Sequence, residues 1–301
     1  MRLADLAQRR LVIVTGKGGV GKSVVAAALG RAVAQSGRRV LLTEIAPTED
    51  TPSHLRASLD CGRLTNEPAL VGERMWAALL TPTAGHHKFL ADTLPIKLLA
   101  DAAMRSAGIK RFLNAAPGFS DMGVMYRMLD FLRRRHPDGS EMFEQCIVDS
   151  PATGHALALA QIPELLSRII PGGPIVRAAK EGLAYLTDPA KCAALIVTLP
   201  ETLPITESLE LRDGLTKHRV PVAGVVVNRV PPNPFSKEER AALDGALDGK
   251  DVLGQRELRR ISRAETALQL LQAKEGAAFL TLPELELSGI ELSRSLASNF
   301  S

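Results

Sequence analysis

The chain has 301 residues, of which 46% are hydrophobic, and this is enough for one large α/β domain or for a domain with an insertion. Its net charge of +4 is dispersed and only 4% of its residues are aromatic, so we expect no nucleic-acid partner. Three isolated cysteines without a C-x-x-C pair indicate neither a zinc nor an iron–sulfur site. The N-terminus lacks the apolar core of a signal peptide and no apolar run approaches membrane-spanning length, which predicts a cytoplasmic protein.

Short apolar runs rich in Val, Ile and Leu predict the strands of one sheet. They lie at 11–15, 40–45, 75–80, 145–149, 194–199, 222–228 and 278–282. Because most of these runs are continuous rather than alternating, they are typical of parallel strands covered on both faces. Helical segments are predicted between them, at 22–36, 155–170, 205–218 and 256–273. This alternation indicates a single α/β domain over 1–301, built on a doubly wound, mostly parallel sheet.

The first predicted strand leads directly into a glycine-rich loop. Residues 16–23 read GKGGVGKS and match the phosphate-loop pattern G-x-x-x-x-G-K-[ST], which predicts binding of ATP or ADP with Mg²⁺. Glycines let backbone N–H groups approach phosphate oxygens, and the helix that follows directs its positive end at the same oxygens. We expect Lys22 to neutralise the β- and γ-phosphates and Ser23 to ligate Mg²⁺. A glycine-rich turn without a ligand is the alternative, but strand, full motif and helix occur together.

A carboxylate is predicted at the same edge of the sheet. The run at 145–149 ends in Asp149, which we expect to act with Ser23 at the magnesium ion and to belong to the catalytic group. The chain continues as SPATGH over residues 150–155. His155 is a candidate catalytic base, but a structural or switch role is favoured for it.

Residues 85–138 interrupt the strand–helix alternation and predict a helical insertion. Its predicted helices are 86–91, 96–106, 109–115 and 121–135. One face of the last helix carries an apolar stripe formed by Met122, Met125, Met128, Leu129 and Leu132. The favoured interpretation is an ordinary buried helix face. The alternative is an adaptable surface for an apolar client, because Met side chains mould to irregular partners.

The loop resembles the deviant Walker A form GKGGVGK[ST], which has an additional early lysine, here Lys17. That form is typical of P-loop ATPases related to the arsenite pump and to tail-anchored-protein targeting. The SPATGH run and APGFSD at 116–121 resemble further segments of the same ArsA-like family, as do the strand end at Asn228 and the LPE run at Pro283. The resemblance covers roughly residues 10–290.

This resemblance implies an ATPase that works as a nucleotide-sandwich dimer. Lys17 would reach the phosphates of the partner subunit, in the manner of an arginine finger. The nucleotide-binding residues that it implies are Gly16, Lys17, Gly18, Gly19, Val20, Gly21, Lys22, Ser23, Val24, Asn228, Arg229 and Pro283.

One position departs from the family pattern. Where the related ATPases carry a water-orienting Asp before a proline, this chain has Ala46, whose side chain accepts no hydrogen bond. Glu44, two residues earlier on the same face of the strand, is our candidate replacement in the catalytic set, beside Lys17, Lys22 and Asp149. Glu49 and Asp50 in the following loop are alternatives. Efficient hydrolysis by the chain alone therefore stays open.

Three hypotheses follow from these residues. The first is a homodimeric or heterodimeric ATP-dependent switch that reshapes residues 85–138 to bind a protein or membrane-protein client. The second, motivated by Ala46, is a weakly hydrolysing regulatory subunit paired with a paralogue. The third is a partition-type ATPase that positions cargo on DNA or membrane, which the SPATGH and APGFSD segments disfavour.

Overall fold

The computed structural model describes residues 6, 8–94, 100–101, 104–108, 118–151, 157–162, 165, 172–247, 253–275 and 279–300. Its strands are β1 (Leu11–Thr15), β2 (Val40–Ile45), β3 (Ala69–Gly72), β4 (Met75–Leu80), β5 (Gln145–Asp149), β6 (Cys192–Thr198), β7 (Val222–Val230) and β8 (Phe279–Pro283). Together they form one eight-stranded sheet in the order β3-β4-β2-β5-β1-β6-β7-β8. The β3–β4 pair is antiparallel and the other pairs are parallel.

The helices cover both faces of this sheet. In chain order they are α1 (Lys22–Gln35), α2 (Leu55–Leu59), α3 (Pro82–Thr93), α4 (Phe119–Arg133), α5 (Pro174–Leu186), α6 (Thr202–Lys217), α7 (Lys237–Leu247), α8 (Leu253–Glu275) and α9 (Gly289–Ala297), followed by a 3₁₀ turn (Ser298–Phe300). One buried cluster joins the sheet to side chains of α4, α5, α6 and α8, and a second joins its other face to α1 and α9. The predicted doubly wound, mostly parallel α/β fold is confirmed.

Most predicted strands appear with shifts of one or two residues at their ends, but β3 was missed. It is a four-residue edge strand, and Leu70 within it is 66% exposed. A short, exposed antiparallel strand carries none of the continuous apolar pattern that identified the others. Helices α2, α5, α7 and α9 were also missed, while α6 begins three residues earlier than the prediction of 205–218.

The methionine stripe on α4 is part of the core. Met122, Met125, Met128, Leu129 and Leu132 are all at most 4% exposed and belong to the cluster between α4 and the sheet. The favoured interpretation of a buried helix face therefore holds for these five side chains, and the alternative of a client surface formed by them is wrong. Burial leaves them no contact with a partner.

The predicted helical insertion is only partly described. Helices α3 and α4 are found where helices were predicted at 86–91 and 121–135, with different ends. The predicted helix 109–115 and most of 96–106 lie outside the described residues. The two helices cross in backbone contact, since a Cβ built on Gly85 would lie 1.7 Å from the Gly123 carbonyl oxygen. A separate subdomain over 85–138 stays a prediction. None of the described helices is long and apolar enough to cross a membrane.

Candidate functional site

The glycine-rich loop joins β1 to α1 at the carboxyl edge of the sheet, where its shape depends on glycine at two positions. Gly16 has φ +143°, and a Cβ there would lie 2.1 Å from the Val197 carbonyl oxygen on β6. Gly21 has φ +91°, and a Cβ there would lie 2.3 Å from the side-chain nitrogen of Asn228 on β7. These contacts fix the loop against two neighbouring strand ends.

Lys22 opens α1 and lies almost wholly inside the loop. Its side chain is 7% exposed and its Nζ donates a 2.8 Å hydrogen bond to the Lys17 carbonyl oxygen. Burial lowers the pKa of this ammonium, while the nearby Asp149 carboxylate opposes that shift. The first turn of α1 contains no acidic residue, so the positive end of the helix is not neutralised there. The arrangement suits an anion at the centre of the loop.

Asp149 ends β5 beside Ser23 and Lys22. It is 3% exposed, and burial raises its pKa to about 7, against the opposing effect of a hydrogen bond with Ser23. Its Oδ1 has no hydrogen-bond partner in the part of the chain that the structure describes. An unpaired buried carboxylate oxygen next to a serine hydroxyl is the donor set that Mg²⁺ favours, so these two residues fit the predicted metal.

Glu44 lies next to Asp149 in the β2–β5 register, but its carboxylate is already engaged. It accepts hydrogen bonds from the Ser53 hydroxyl and from the backbone N–H groups of His54 (2.9 Å) and Leu55 (3.2 Å) at the start of α2. These contacts give Glu44 a structural role as an acceptor for the first turn of α2. Its predicted catalytic role stays a prediction.

Ala46 directly follows β2 and is 4% exposed within the apolar cluster that covers α1. Its N–H donates to the Leu80 carbonyl oxygen at 3.1 Å. The Ala46 side chain thus lies among apolar side chains. Of the alternative carboxylates, Glu49 accepts a hydrogen bond from the Asn66 N–H and Asp50 pairs with Arg63.

Lys17 projects away from the loop that contains it. Its side chain is half-exposed and forms an ion pair with Glu207 on α6. The second Glu207 oxygen, Oε2, is buried and unpaired among the described residues. Sequence analysis missed Glu207, because 190 positions separate it from Lys17 and no motif marks it.

The predicted nucleotide-binding residues outside the loop divide between two environments. Asn228 is 4% exposed and its Nδ2 donates a 2.9 Å hydrogen bond to the Val20 carbonyl oxygen, so it braces the loop. Arg229 is exposed and has φ +57°, and Pro283 is exposed at the end of β8. Their contact with a nucleotide stays a prediction.

The SPATGH run at 150–155 is described only at its beginning. Ser150 and Pro151 follow β5, whereas residues 152–155, including His155, lie outside the described residues. The same holds for residues 116 and 117 of the APGFSD run, while Gly118 starts α4 with φ +77°.

Comparison with known proteins gives one consistent result. The profile of the anion-transporting ATPase (ArsA) family matches residues 9–172. The chain is 32% identical to the ATPase BagA of Mycobacterium tuberculosis over 251 residues, which cover 81% of this chain and 72% of that protein. It is 23% identical to the ATPase GET3C of Arabidopsis thaliana over 78% of this chain and 70% of that one. An arsenical pump-driving ATPase of Escherichia coli is 27% identical over 72% of this chain and only 34% of its own greater length.

Proposed function

Because the chain belongs to the anion-transporting ATPase family, we propose that it binds and hydrolyses ATP as a dimeric molecular switch. In this proposal its nucleotide state controls binding of a protein or membrane-associated partner. The observation that carries it is the loop between β1 and α1, where Gly16 and Gly21 take conformations that side chains would obstruct. A loop of that shape presents backbone N–H groups to phosphate oxygens.

The described residues have separable tasks at a bound triphosphate. Backbone N–H groups of the loop would hold the phosphates, and Lys22, held inside the loop, would add a fixed positive charge. Ser23 and Asp149 would hold Mg²⁺, which when bound supplies charge neutralisation of the β- and γ-phosphates. Because the pKa of Asp149 is about 7 without a ligand, cations at the site would favour its ionised form.

The dimer in this proposal depends on the half-exposed Lys17. Its ion pair with Glu207 on α6 lies at the carboxyl edge, the side from which a nucleotide enters. An exposed ion pair contributes only about 0–1 kcal/mol, so a phosphate group of higher charge can displace the carboxylate at small cost. Lys17 would then exchange Glu207 for the phosphates bound to a second subunit.

The direct test is Lys17→Ala. Wild-type protein should dimerise and hydrolyse ATP when Mg²⁺ and ATP are added, as measured by sedimentation and phosphate release. The variant should fold normally and still bind nucleotide, while dimerisation and turnover fall sharply. Unchanged turnover would exclude a cross-subunit role for Lys17. If the wild type bound no nucleotide, the whole proposal would be refuted.

A second candidate function is a weakly hydrolysing subunit that pairs with a paralogue. It is favoured by the apolar surroundings of Ala46 and by the hydrogen bonds that occupy Glu44. Ala46→Asp should raise the intrinsic ATPase rate if only the water-orienting carboxylate is missing. Thermal unfolding of the variant must accompany the assay, because an added carboxylate at a 4% exposed position also costs stability. A folded variant with no gain in rate would count against this candidate.

A further inference from the structure

A cavity of about 540 Å³ lies between α3, α4 and the segment that leads into β3. Lys88, Arg127, Arg134 and Glu67 are the charged side chains that matter in its walls. None of the predicted nucleotide-binding residues, all of which the structure describes, lines it. The strand that leads into α3, β4, stands three places from β1 in the sheet, roughly 14 Å at the usual strand spacing. The cavity is therefore separate from the phosphate loop.

The Arg127 guanidinium has a fixed position in this wall. Its side chain is only 5% exposed. Its Nη1 donates a 2.7 Å hydrogen bond to Asp130, and its Nη2 donates a 2.6 Å hydrogen bond to the Asn66 carbonyl oxygen. Its Cζ lies 4.5 Å from the centre of the Phe131 ring, one helical turn further on. Because burial and these contacts leave the planar group one orientation, Nη2 is a fixed donor at the cavity.

Arg134 supplies a second guanidinium beside the first. It follows α4 directly, two helical turns after Arg127, and its Cζ lies 4.8 Å from the centre of the same Phe131 ring. Its Nη2 donates a 3.1 Å hydrogen bond to the Asp130 carboxylate that Arg127 also binds. Since both arginines contact one ring and one carboxylate, they form a guanidinium pair of fixed spacing.

Glu67 occupies this guanidinium pair with a carboxylate of the chain itself. Its Oε1 accepts a hydrogen bond from Arg127, and its Oε2 accepts one of 3.0 Å from Arg134. Burial alone would raise the pKa of Glu67, but the hydrogen bonds from Arg134 and Arg127 outweigh it and lower the pKa below its ordinary value. The Glu67 side chain is nevertheless 66% exposed. It can therefore swing into solvent and leave both donors to another carboxylate, while buried Arg127 cannot follow it.

The α3 side of the cavity has a second positive region. Lys88 lies there, paired with Asp92 and 3.6 Å from Asp130. Thr83 and Ala84 of the first helical turn also line the cavity, and no acidic residue neutralises the positive end of α3 in that turn. Partly exposed ion pairs such as that of Lys88 exchange one carboxylate for another at little cost. This side can therefore accept a second negative group.

We propose that the cavity binds a small organic dicarboxylate, one carboxylate of which replaces Glu67 between Arg127 and Arg134. The second carboxylate lies at Lys88 and the start of α3. The volume of the cavity is within the range of small-molecule sites. A carboxylate is favoured over a phosphate because the guanidinium pair already holds one, with one oxygen on each arginine.

The test titrates glutarate, whose ends match the Glu67 carboxylate, into the full chain by calorimetry. Mg²⁺ and ADP are present in excess to occupy the phosphate loop. Glu67→Ala should tighten glutarate binding about tenfold, because the ligand no longer competes with a carboxylate of the chain. Adding Arg134→Gln to that variant should weaken binding about tenfold, the usual scale for one charge-assisted hydrogen bond. Glu73→Ala is the matched control, since Glu73 is also exposed and carries the same charge but does not line the cavity.

Several results would overturn the proposal. Equal affinity of wild type and Glu67→Ala, or no binding to either, would show that Glu67 holds no ligand's place. An equal gain in Glu73→Ala would indicate general charge attraction, and no loss on adding Arg134→Gln would exclude the guanidinium pair. Equally tight binding of butyrate or inorganic phosphate would exclude a dicarboxylate. Failure of the proposed ATP function is distinguishable, because ADP would then not bind, while the difference between Glu67→Ala and Glu73→Ala would still report on the cavity.

Discussion

The two halves of the carboxyl edge present positive charge in different ways. Over β5 and β1 it comes from backbone N–H groups and the buried Lys22, in a loop whose shape two strand neighbours enforce. Over β6, β7 and β8 it comes from exposed arginine side chains around an open cavity. The first half is rigid and suits one geometry of phosphates, whereas long side chains can adjust to several ligands. The comparison teaches that positive charge at one sheet edge can come from a constrained loop or from exposed side chains.

The largest effect that would test the rigid half is expected from Gly16→Ala. The new Cβ would overlap the Val197 carbonyl oxygen at a positive φ, and overpacking with backbone strain costs about 3 kcal/mol. Nucleotide affinity, measured with a fluorescent ATP analogue, should fall about a hundredfold. Gly18→Ala is the matched control, because its Cβ would meet nothing within 4 Å. Equal losses in both variants would show that the loop is less constrained than its geometry indicates.

A pH-dependent effect is expected next, from Asp149→Asn. Burial raises the pKa of Asp149 to about 7, so the folded state binds this proton more tightly than the unfolded chain does. The resulting stabilisation is complete below the unfolded pKa of about 4 and is lost as the pH rises through 7. Relative to wild type, the nucleotide-free variant should therefore be more stable at pH 8 and similar at pH 4 in denaturant titrations. Its ATP hydrolysis should fall at the same time.

The control for this variant is Asp188→Asn. The pKa of Asp188 is lowered, chiefly by its hydrogen bond with Lys191, so its stabilising effect is present above its unfolded pKa and lost as the pH falls. This substitution at a partly exposed position should therefore change stability in the opposite direction at pH 8. If both variants were more stable than wild type at pH 8, the cause would be the change in net charge and not the burial of Asp149.

The smallest effect on stability is expected from Glu207→Gln, which releases Lys17. An exposed ion pair contributes about 0–1 kcal/mol, so the unfolding free energy should hardly change. The ATP concentration that drives half-maximal dimerisation, measured by light scattering, should nevertheless fall several-fold, because Lys17 no longer has a competing carboxylate. Glu210→Gln, one turn further along α6, is the control. Identical dimerisation curves for the two variants would show that Glu207 does not control ATP-driven dimerisation.

Sequence alone predicted the parts of the candidate site that are continuous in the chain. The 16–23 loop and Asp149 were identified because each follows a buried strand and has a recognisable pattern. Glu207 was not, because it becomes a neighbour of Lys17 only through the packing of α6. Glu44 shows a further limit: its sequence position suggested catalysis, while its hydrogen bonds to the start of α2 could be seen only in the fold.

The fold shows the same division between local pattern and context. Parallel strands were predicted closely because burial on both faces leaves an uninterrupted apolar run. The β3 edge strand escaped because exposure removes that run, and α5 escaped although it begins with Gly-Pro at 173–174, a common helix start. The residue spacing of the methionine stripe correctly identified the apolar face of α4. Spacing alone could not show that this face packs on the sheet.

The loop's contacts with Val197 and Asn228 have a consequence for biosynthesis. The Asn228 hydrogen bond joins residues 208 positions apart, and Gly16 packs on a strand that is made almost as late. A chain emerging from the ribosome would complete the GKGGVGKS motif early, yet its native shape would wait for β6 and β7. ATP should therefore give no protection to nascent chains that end before β7, and it should stabilise them only once β7 has been made.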